Sequence, residues 1–306
     1  MEALAGIRIG TASWADKSLI ECRRYYPPGC NSAEARLRFY AAQFPLVEVD
    51  SSYYALPSRR NSLLWVERTP ADFLFNIKAF RIFTGHQTPT SALPSDLRPD
   101  VGPQRRGART NLYYRDLPAE LRQELWQRFT AAIMPLKQAG KLGSVLLQLA
   151  PWVVPGPRVE RHIRECREHL REFEIAAEFR NRRWQEPANL RFTLSMLREL
   201  NISYVAVDEP QGFDSSVPPL ARVTGRYAIV RFHGRNRATW QKRGLAGSAE
   251  RFDYYYRESE LAEWLPRIAE MRRRAAEVHL VFNTNNEDQG PVNALLLHRL
   301  LGEGVS

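Results

Sequence analysis

Short apolar runs alternate with amphipathic segments along nearly the whole chain. Runs rich in Val, Ile, Leu, Phe and Tyr fall at 7–14, 46–54, 73–80, 144–149, 174–180, 203–209, 226–233 and 278–283. Several are continuously apolar, as parallel strands buried on both faces should be. Between them, apolar residues recur with a 3.6-residue period at 31–44, 58–69, 120–139, 158–171, 189–200, 258–276 and 292–301, which predicts helices. Ser32 is placed to cap the first of these. One gap, Pro210 to Gly225, shows no helical pattern.

Eight strands joined by helical crossovers predict an α/β fold, a TIM (β/α)8 barrel lacking a regular helix after strand six. A doubly wound open sheet fits less well, because no GxGxxG turn follows the first strand. The length of 306 residues suits two ordinary domains or one barrel with insertions. The strand count selects a single barrel over residues 1–306. Residues 83–118 interrupt the rhythm as a long connection after strand three. It carries Pro89, Pro94, Pro99, Pro103, Pro118 and the cluster Arg105, Arg106, Arg109. It reads either as a lid on the active face or as a disordered insertion.

Composition narrows the class. Charged residues make up 25% and hydrophobic residues 44%, the mix of a soluble globular protein. No run approaches the roughly 20 apolar residues of a membrane span. Three cysteines without CxxC spacing, Cys22, Cys30 and Cys166, argue against a disulfide framework or structural zinc. The N-terminal MEALAGIRIG has no apolar signal region, so a cytoplasmic protein is expected. The net charge is +10, which points to DNA or RNA as partner. Yet five of the 44 cations are Lys and 39 are Arg, a skew that genome-wide codon preference also explains.

In such a barrel, chemistry gathers where strands end, so polar residues near the ends of apolar strands are the candidates. These are Ser13, Trp14, Glu48, Asp50, Ser52, Asn76, Lys78, Gln148, Glu178, Arg180, Asp208, Glu209, Arg231, His233, Asn283, Asn285 and Asn286. Glu48, Asp50 and Ser52 are two apart and share a face if strand two runs through them. Glu178, Asp208, His233 and Glu48 are the catalytic candidates. Glu178, Asp208 and His233 could hold Mg²⁺ or Mn²⁺, which prefer oxygen ligands. A zinc cluster is not expected, since HxH and HxxxH patterns are missing and His162 and His169 fall on a charged, solvent-facing helix. Lys78, Gln148, Arg180, Arg231, Arg235 and Asn283 are the substrate- and anion-binding candidates. Trp14 and Trp240 are candidates for stacking on a base or sugar; Tyr53, Tyr54, Trp152, Trp184 and the run Tyr254, Tyr255, Tyr256 flank the same rim, where ordinary packing of barrel against helices accounts for most such rings. The same charges would equally form internal salt bridges filling the mouth.

These motifs carry a resemblance. GTASW at 10–14, VEVDSSYYALPS at 47–58, LLQLAPW at 146–152 and EFRNRRW at 178–184 resemble the YecE-like family of TIM barrels, the domain of unknown function DUF72. So do VRFHGRN at 230–236 with Trp240, RFDYYY at 251–256 and FNTNNEDQGPVNA at 282–294. The resemblance implies a TIM barrel similar in shape to apurinic endonucleases and sugar isomerases, though without their many His ligands.

The expectation is an enzyme acting on a phosphate-bearing substrate, nucleic acid or phosphosugar, and cleaving a phosphodiester. Glu178 and Asp208 would hold a divalent ion or activate water. His233 would act as acid/base or third ligand. Lys78, Arg180 and Arg231 would stabilise phosphoryl charge, and the lid arginines would track the backbone. The alternatives are a metal-free sugar enzyme, a glycoside hydrolase or isomerase using Glu48 with Glu178, and a non-catalytic nucleic-acid-binding module.

Overall fold

The computed structural model describes residues 4–98, 111–242, 244–245 and 247–303. Eight parallel strands close into a barrel: β1 (Ile7–Ala12), β2 (Leu46–Val49), β3 (Leu74–Lys78), β4 (Leu142–Gln148), β5 (Ile175–Glu178), β6 (Ile202–Asp208), β7 (Tyr227–Phe232) and β8 (Glu277–Phe282). They pair in chain order, and β8 closes on β1 with Ile7 opposite Val278. This is a TIM barrel, and all eight strands lie where the apolar runs predict them.

The longer helices are α1 (Ala33–Gln43), α2 (Arg59–Glu67), α3 (Ala119–Gln138), α4 (Pro157–His169), α5 (Pro187–Glu199), α6 (Leu265–Arg274) and α7 (Gln289–Glu303). Ser32 accepts from the Ala35 amide at 3.0 Å and Ser58 from the Asn61 amide at 3.1 Å, each satisfying an orphan donor of the first turn. Residues 209–226 hold no helix, as the missing periodicity implies.

Two expectations need correction. Strand two stops at Val49; Asp50 takes helical φ and ψ (−79°, −25°), and Ser51–Tyr54 form a helical turn. Ser52 therefore leaves the common face with Glu48, and its hydroxyl donates to the carbonyls of Val49 and Lys78. The helix predicted over 258–276 is two pieces, Glu258–Ala262 and α6. Pro266 has no N–H for the Ala262 carbonyl and starts a new helix instead. Within 83–118, the described parts are packed. Thr88–Pro89 pairs with Asn111–Leu112, Phe83 stacks on Trp126 at 3.6 Å, and Leu93, Leu97, Leu112 and Tyr114 are buried. Arg105, Arg106 and Arg109 lie outside the described residues.

Strand residues alternate between two cores. One face, with Phe75, Ile77, Phe179, Tyr204, Phe232 and Phe282, packs against the helices. The other fills the barrel with Ala12, Leu46, Leu74 and Val281 on one side. Leu146, Ala176, Val205, Val207 and Ile229 fill the other, joined by Val217 from the loop after β6. Gly143 sits where a Cβ would meet Asn76 Oδ1 at 2.5 Å and His279 Cε1 at 3.1 Å. Asn76 Oδ1 is held by the Ser144 amide and hydroxyl and has little room to yield. Gly143→Ala should lower stability by about 1–3 kcal/mol, read as a lower urea midpoint. An unchanged midpoint would show that Asn76 can move.

Candidate active site at the barrel mouth

Strand alternation aims one set of polar residues into the C-terminal end of the barrel. From β7, Arg231 crosses the interior to two other strands. Its Nε and Nη2 donate to the Glu48 carboxylate of β2 at 3.1 and 2.6 Å, and Nη1 donates to Glu178 Oε2 of β5 at 2.6 Å. All three are 0–1% exposed. The paired, two-pronged contact with Glu48 is the geometry in which guanidinium and carboxylate bind best.

Glu178 Oε1 collects the remaining donors. Gln148 Nε2 donates to it at 2.8 Å and Arg180 Nη1 at 3.1 Å, and His233 Nε2 lies 3.1 Å away. Asn283 Nδ2 approaches His233 Nδ1 at 3.0 Å. An amide donor at Nδ1 leaves the imidazole proton on Nε2, aimed at Glu178. Burial would raise Glu178, but Arg231, His233 and Arg180 outweigh it and hold the carboxyl well below the usual range. His233 goes the other way, pushed down to about 3 by burial despite Glu178, with Arg180 and Arg231 adding to the shift. It is neutral at neutral pH.

Lys78 and Asp50 form the solvent side of the same end. Lys78 Nζ lies 3.1 Å from Asp50 Oδ1. Burial would raise Asp50, but Lys78 and then Arg231 keep it lowered. Glu48, next to it, is pushed up to about 7 by burial, against the pull of Arg231. Arg180, 9% exposed, lies over the Trp240 ring at 4.9 Å and makes no hydrogen bond through Nε. Trp240 Nε1 donates to Ser215 Oγ at 3.1 Å.

The structure does not bring Asp208 into this group. As the neighbour of an inward-facing residue it faces the helices. Its carboxylate accepts from Tyr256 Oη at 2.8 Å, Trp264 Nε1 at 2.7 Å and Arg235 Nη2 at 2.7 Å. Arg235 is shared between Asp208 and Glu263. Asp208 and Arg235 thus pin the strand to its outer layer, and the expected ligand set Glu178, Asp208 and His233 is not assembled. Among the described residues no three His, Cys, Asp or Glu side chains form a group fit to hold a metal. Trp14 packs edge-on against Trp65 and Phe75 in the outer core. His162 and His169 are half-buried rather than solvent-facing, the first against the Phe83 carbonyl and the second stacked on Trp126.

Glu209 takes the inward place that Asp208 lacks. Its Oε1 accepts from the Val217 amide at 2.7 Å, and Oε2 lies 3.6 Å from Arg180 and makes no hydrogen bond. Burial outweighs Arg180 and pushes it up to about 8, so it carries a proton at neutral pH. Asp16 is also pushed up, to about 7, by burial and Asp50. The period-two rule applied from Val205 and Val207 would have selected Glu209; no signal marked Asp16. Ser13, at the end of β1, has φ 91°, a strained backbone for a non-glycine residue.

Two outcomes follow. Arg231→Met leaves two buried carboxylates without their partner and should cost about 3–5 kcal/mol, measured by denaturant unfolding; a loss under 1 kcal/mol would make the bridge dispensable. His233 binds a proton more weakly folded than unfolded, so the unfolded chain holds more protons between about pH 3 and the unfolded value near 6.5. Its stabilising effect is present above that window and lost as pH falls through it. The stability of His233→Asn should fall less steeply than wild type on acidification from pH 6.5, by up to one proton in slope. Parallel curves would contradict a neutral buried imidazole.

The family described as "Protein of unknown function DUF72" matches residues 8–306. The chain is 31% identical over 298 residues to UPF0759 protein YunF of Bacillus subtilis (strain 168), covering 96% of this chain and 94% of that one. A DUF72 family protein from Thermotoga maritima superposes with TM-score 0.74 at 27% identity over 97% of this chain and 99% of its own. One from Enterococcus faecalis V583 gives 0.72 at 26%, over 97% of each chain. No helix among the described residues is long and apolar enough to cross a membrane. With its closed barrel and near full-length matches, the chain belongs to the DUF72 family.

Proposed function

We propose that this protein is an enzyme that binds a phosphate-bearing substrate at the barrel mouth and cleaves its phosphate ester by acid–base catalysis. The observation that carries the reading is Arg180. It is a guanidinium at the end of the buried network, paired with Glu178 and lying over the Trp240 ring, with part of its surface open to solvent. A guanidinium is the side chain that best matches the oxygens of a phosphoryl group. Lys78 and Arg180 would hold the charge that develops on the phosphoryl group. Glu209, protonated beside Arg180, would give its proton to the leaving oxygen as the ester P–O bond breaks, while water attacks phosphorus and its own proton leaves on the released phosphate. His233, whose two nitrogens already engage Glu178 and Asn283, would position Glu178 and Arg180.

The glycosidase alternative asks Glu48 and Glu178 for free carboxylate oxygens. Both carboxylates are held by hydrogen bonds from Arg231, which favours the phosphate reading.

The test is calorimetric binding and product analysis with hexose and pentose phosphates, their parent sugars, and labelled DNA and RNA oligonucleotides, in EDTA and with Mn²⁺. Phosphorylated ligands should bind in EDTA at least tenfold more tightly than the neutral parents, and Arg180→Gln should abolish the difference. Glu209→Gln should leave binding intact and reduce turnover about 10²-fold or more. Equal binding of parent sugars, or turnover only with added metal, would overturn the reading. Salt-sensitive oligonucleotide binding without product would replace it with a non-catalytic module.

A further inference from the structure

The loops after β2, β3 and β4, three neighbours around the barrel, each place an aromatic ring beside the mouth. Tyr53 lies under Lys78 Nζ at 4.9 Å and under the Arg81 guanidinium at 5.2 Å. His86 meets the Tyr53 ring edge-on at 5.1 Å and Trp152 at 5.9 Å. Tyr54 packs edge-on against Tyr53 at 5.0 Å. His86 is buried and, through burial and the nearby Lys78, Arg81 and Arg180, is pushed down to about 3. It is a neutral ring. The outer two rings are open: Tyr54 and Trp152 are each 55% exposed.

An exposed Trp is usually free to turn, but this one is fixed. Its Nε1 donates to the Gly85 carbonyl at 3.1 Å. Gly85 has φ +80°, and a Cβ there would lie 2.9 Å from the neighbouring Val153 side chain, so the loop that offers this carbonyl requires glycine. The indole edge is tied down, the ring edge rests on His86, and the ring is left with open surface. Its only polar atom is already satisfied by the protein. What remains is an apolar π-surface held in place and joined through His86 and Tyr53 to Lys78 and Arg81, a combination that can stack a planar ring while a phosphate is bound nearby.

We infer that Trp152, with Tyr54 and the Tyr53–His86 base beneath, is a stacking subsite for a nucleobase, so that the substrate class is the nucleotides. This rests on the phosphate reading above, with Lys78 and Arg180 taking the phosphate and Trp152 the base. The base is recognised through its face, so the site tolerates several bases.

Calorimetry with adenosine 5′-monophosphate, ribose 5-phosphate and adenosine separates the two parts. The nucleotide should bind at least tenfold more tightly than ribose 5-phosphate. Trp152→Ala should erase that advantage and leave ribose 5-phosphate binding unchanged, whereas Trp152→Phe should keep most of it. The ring is half exposed, and an unchanged thermal midpoint would show that the variant folds. Equal wild-type affinity for the nucleotide and ribose 5-phosphate would overturn the stacking subsite and leave the phosphate site standing. The same would follow if Trp152→Ala weakened both alike. Failure of both phosphates to bind would overturn the subsite together with the reading it rests on.

Discussion

The Arg231 guanidinium, bridging Glu48 and Glu178 through the middle of the barrel, is the interaction on which the C-terminal end depends. Its energetics are not those of a surface ion pair. Removing three charges from water costs several kcal/mol each, and attraction in the dry interior repays this only when geometry is good and every lone pair is used. Here the hydrogen bonds are 2.6–3.1 Å long, and Gln148, Arg180 and His233 take up the remaining oxygen of Glu178. The bridge is therefore best understood as a constraint on register. β2, β5 and β7 can close into one barrel with these charges satisfied only when all three strands bring their polar residues to the same depth.

That constraint divides the charges into a buried floor and a group nearer to solvent. Arg231, Glu48 and Glu178 occupy one another, and Asp208 and Arg235 are occupied in the outer layer with Tyr256, Trp264 and Glu263. Lys78, Arg180 and Asp50 remain at the solvent side, above a floor whose charges are immobile. A fixed field of this kind shifts protonation without any movement. Glu178 stays ionised because cations surround it, and Glu209, two strand positions beyond Val207 on the inward face, keeps its proton because burial outweighs its one cationic neighbour. Preorganised groups in a dry site cost no reorganisation when charge develops.

Several of these placements were legible in the sequence. Apolar runs of six to nine residues separated by helical periods identified every strand, because a strand buried on both faces leaves no polar residue except where one is paired or used. That is why Glu48, Lys78, Gln148, Glu178, Arg231, His233 and Asn283 stood out, and the structure gathers these seven at one end of the barrel. Where the reading failed, the failures have identifiable causes. Asp208 and Glu209 are adjacent, so a strand sends them to opposite faces, and composition alone does not say which faces inward. The runs at β2 and β5 continue in β-favouring residues past the last ladder hydrogen bond, so Asp50 and Arg180 looked like strand when they belong to the loops. Trp14 followed a strand as Trp240 did, yet one ring went to the outer core and the other to the mouth.

The sequence by itself determined the barrel, since period-two and period-3.6 burial leave few other ways to cover eight apolar strands. It also determined the identity of most polar residues at the strand ends. Only the tertiary structure decided what those residues do to one another. Whether an arginine is free or neutralised, whether a histidine is neutral, and which carboxylic acid keeps its proton depend on distances of a few ångströms between residues up to 183 positions apart. Coulomb energy and desolvation both vary steeply over that range, and neither is written in local sequence. The aromatic sector at Tyr53, His86 and Trp152 is of the same kind: three rings on separate loops became one surface only when β2, β3 and β4 took neighbouring places in the barrel.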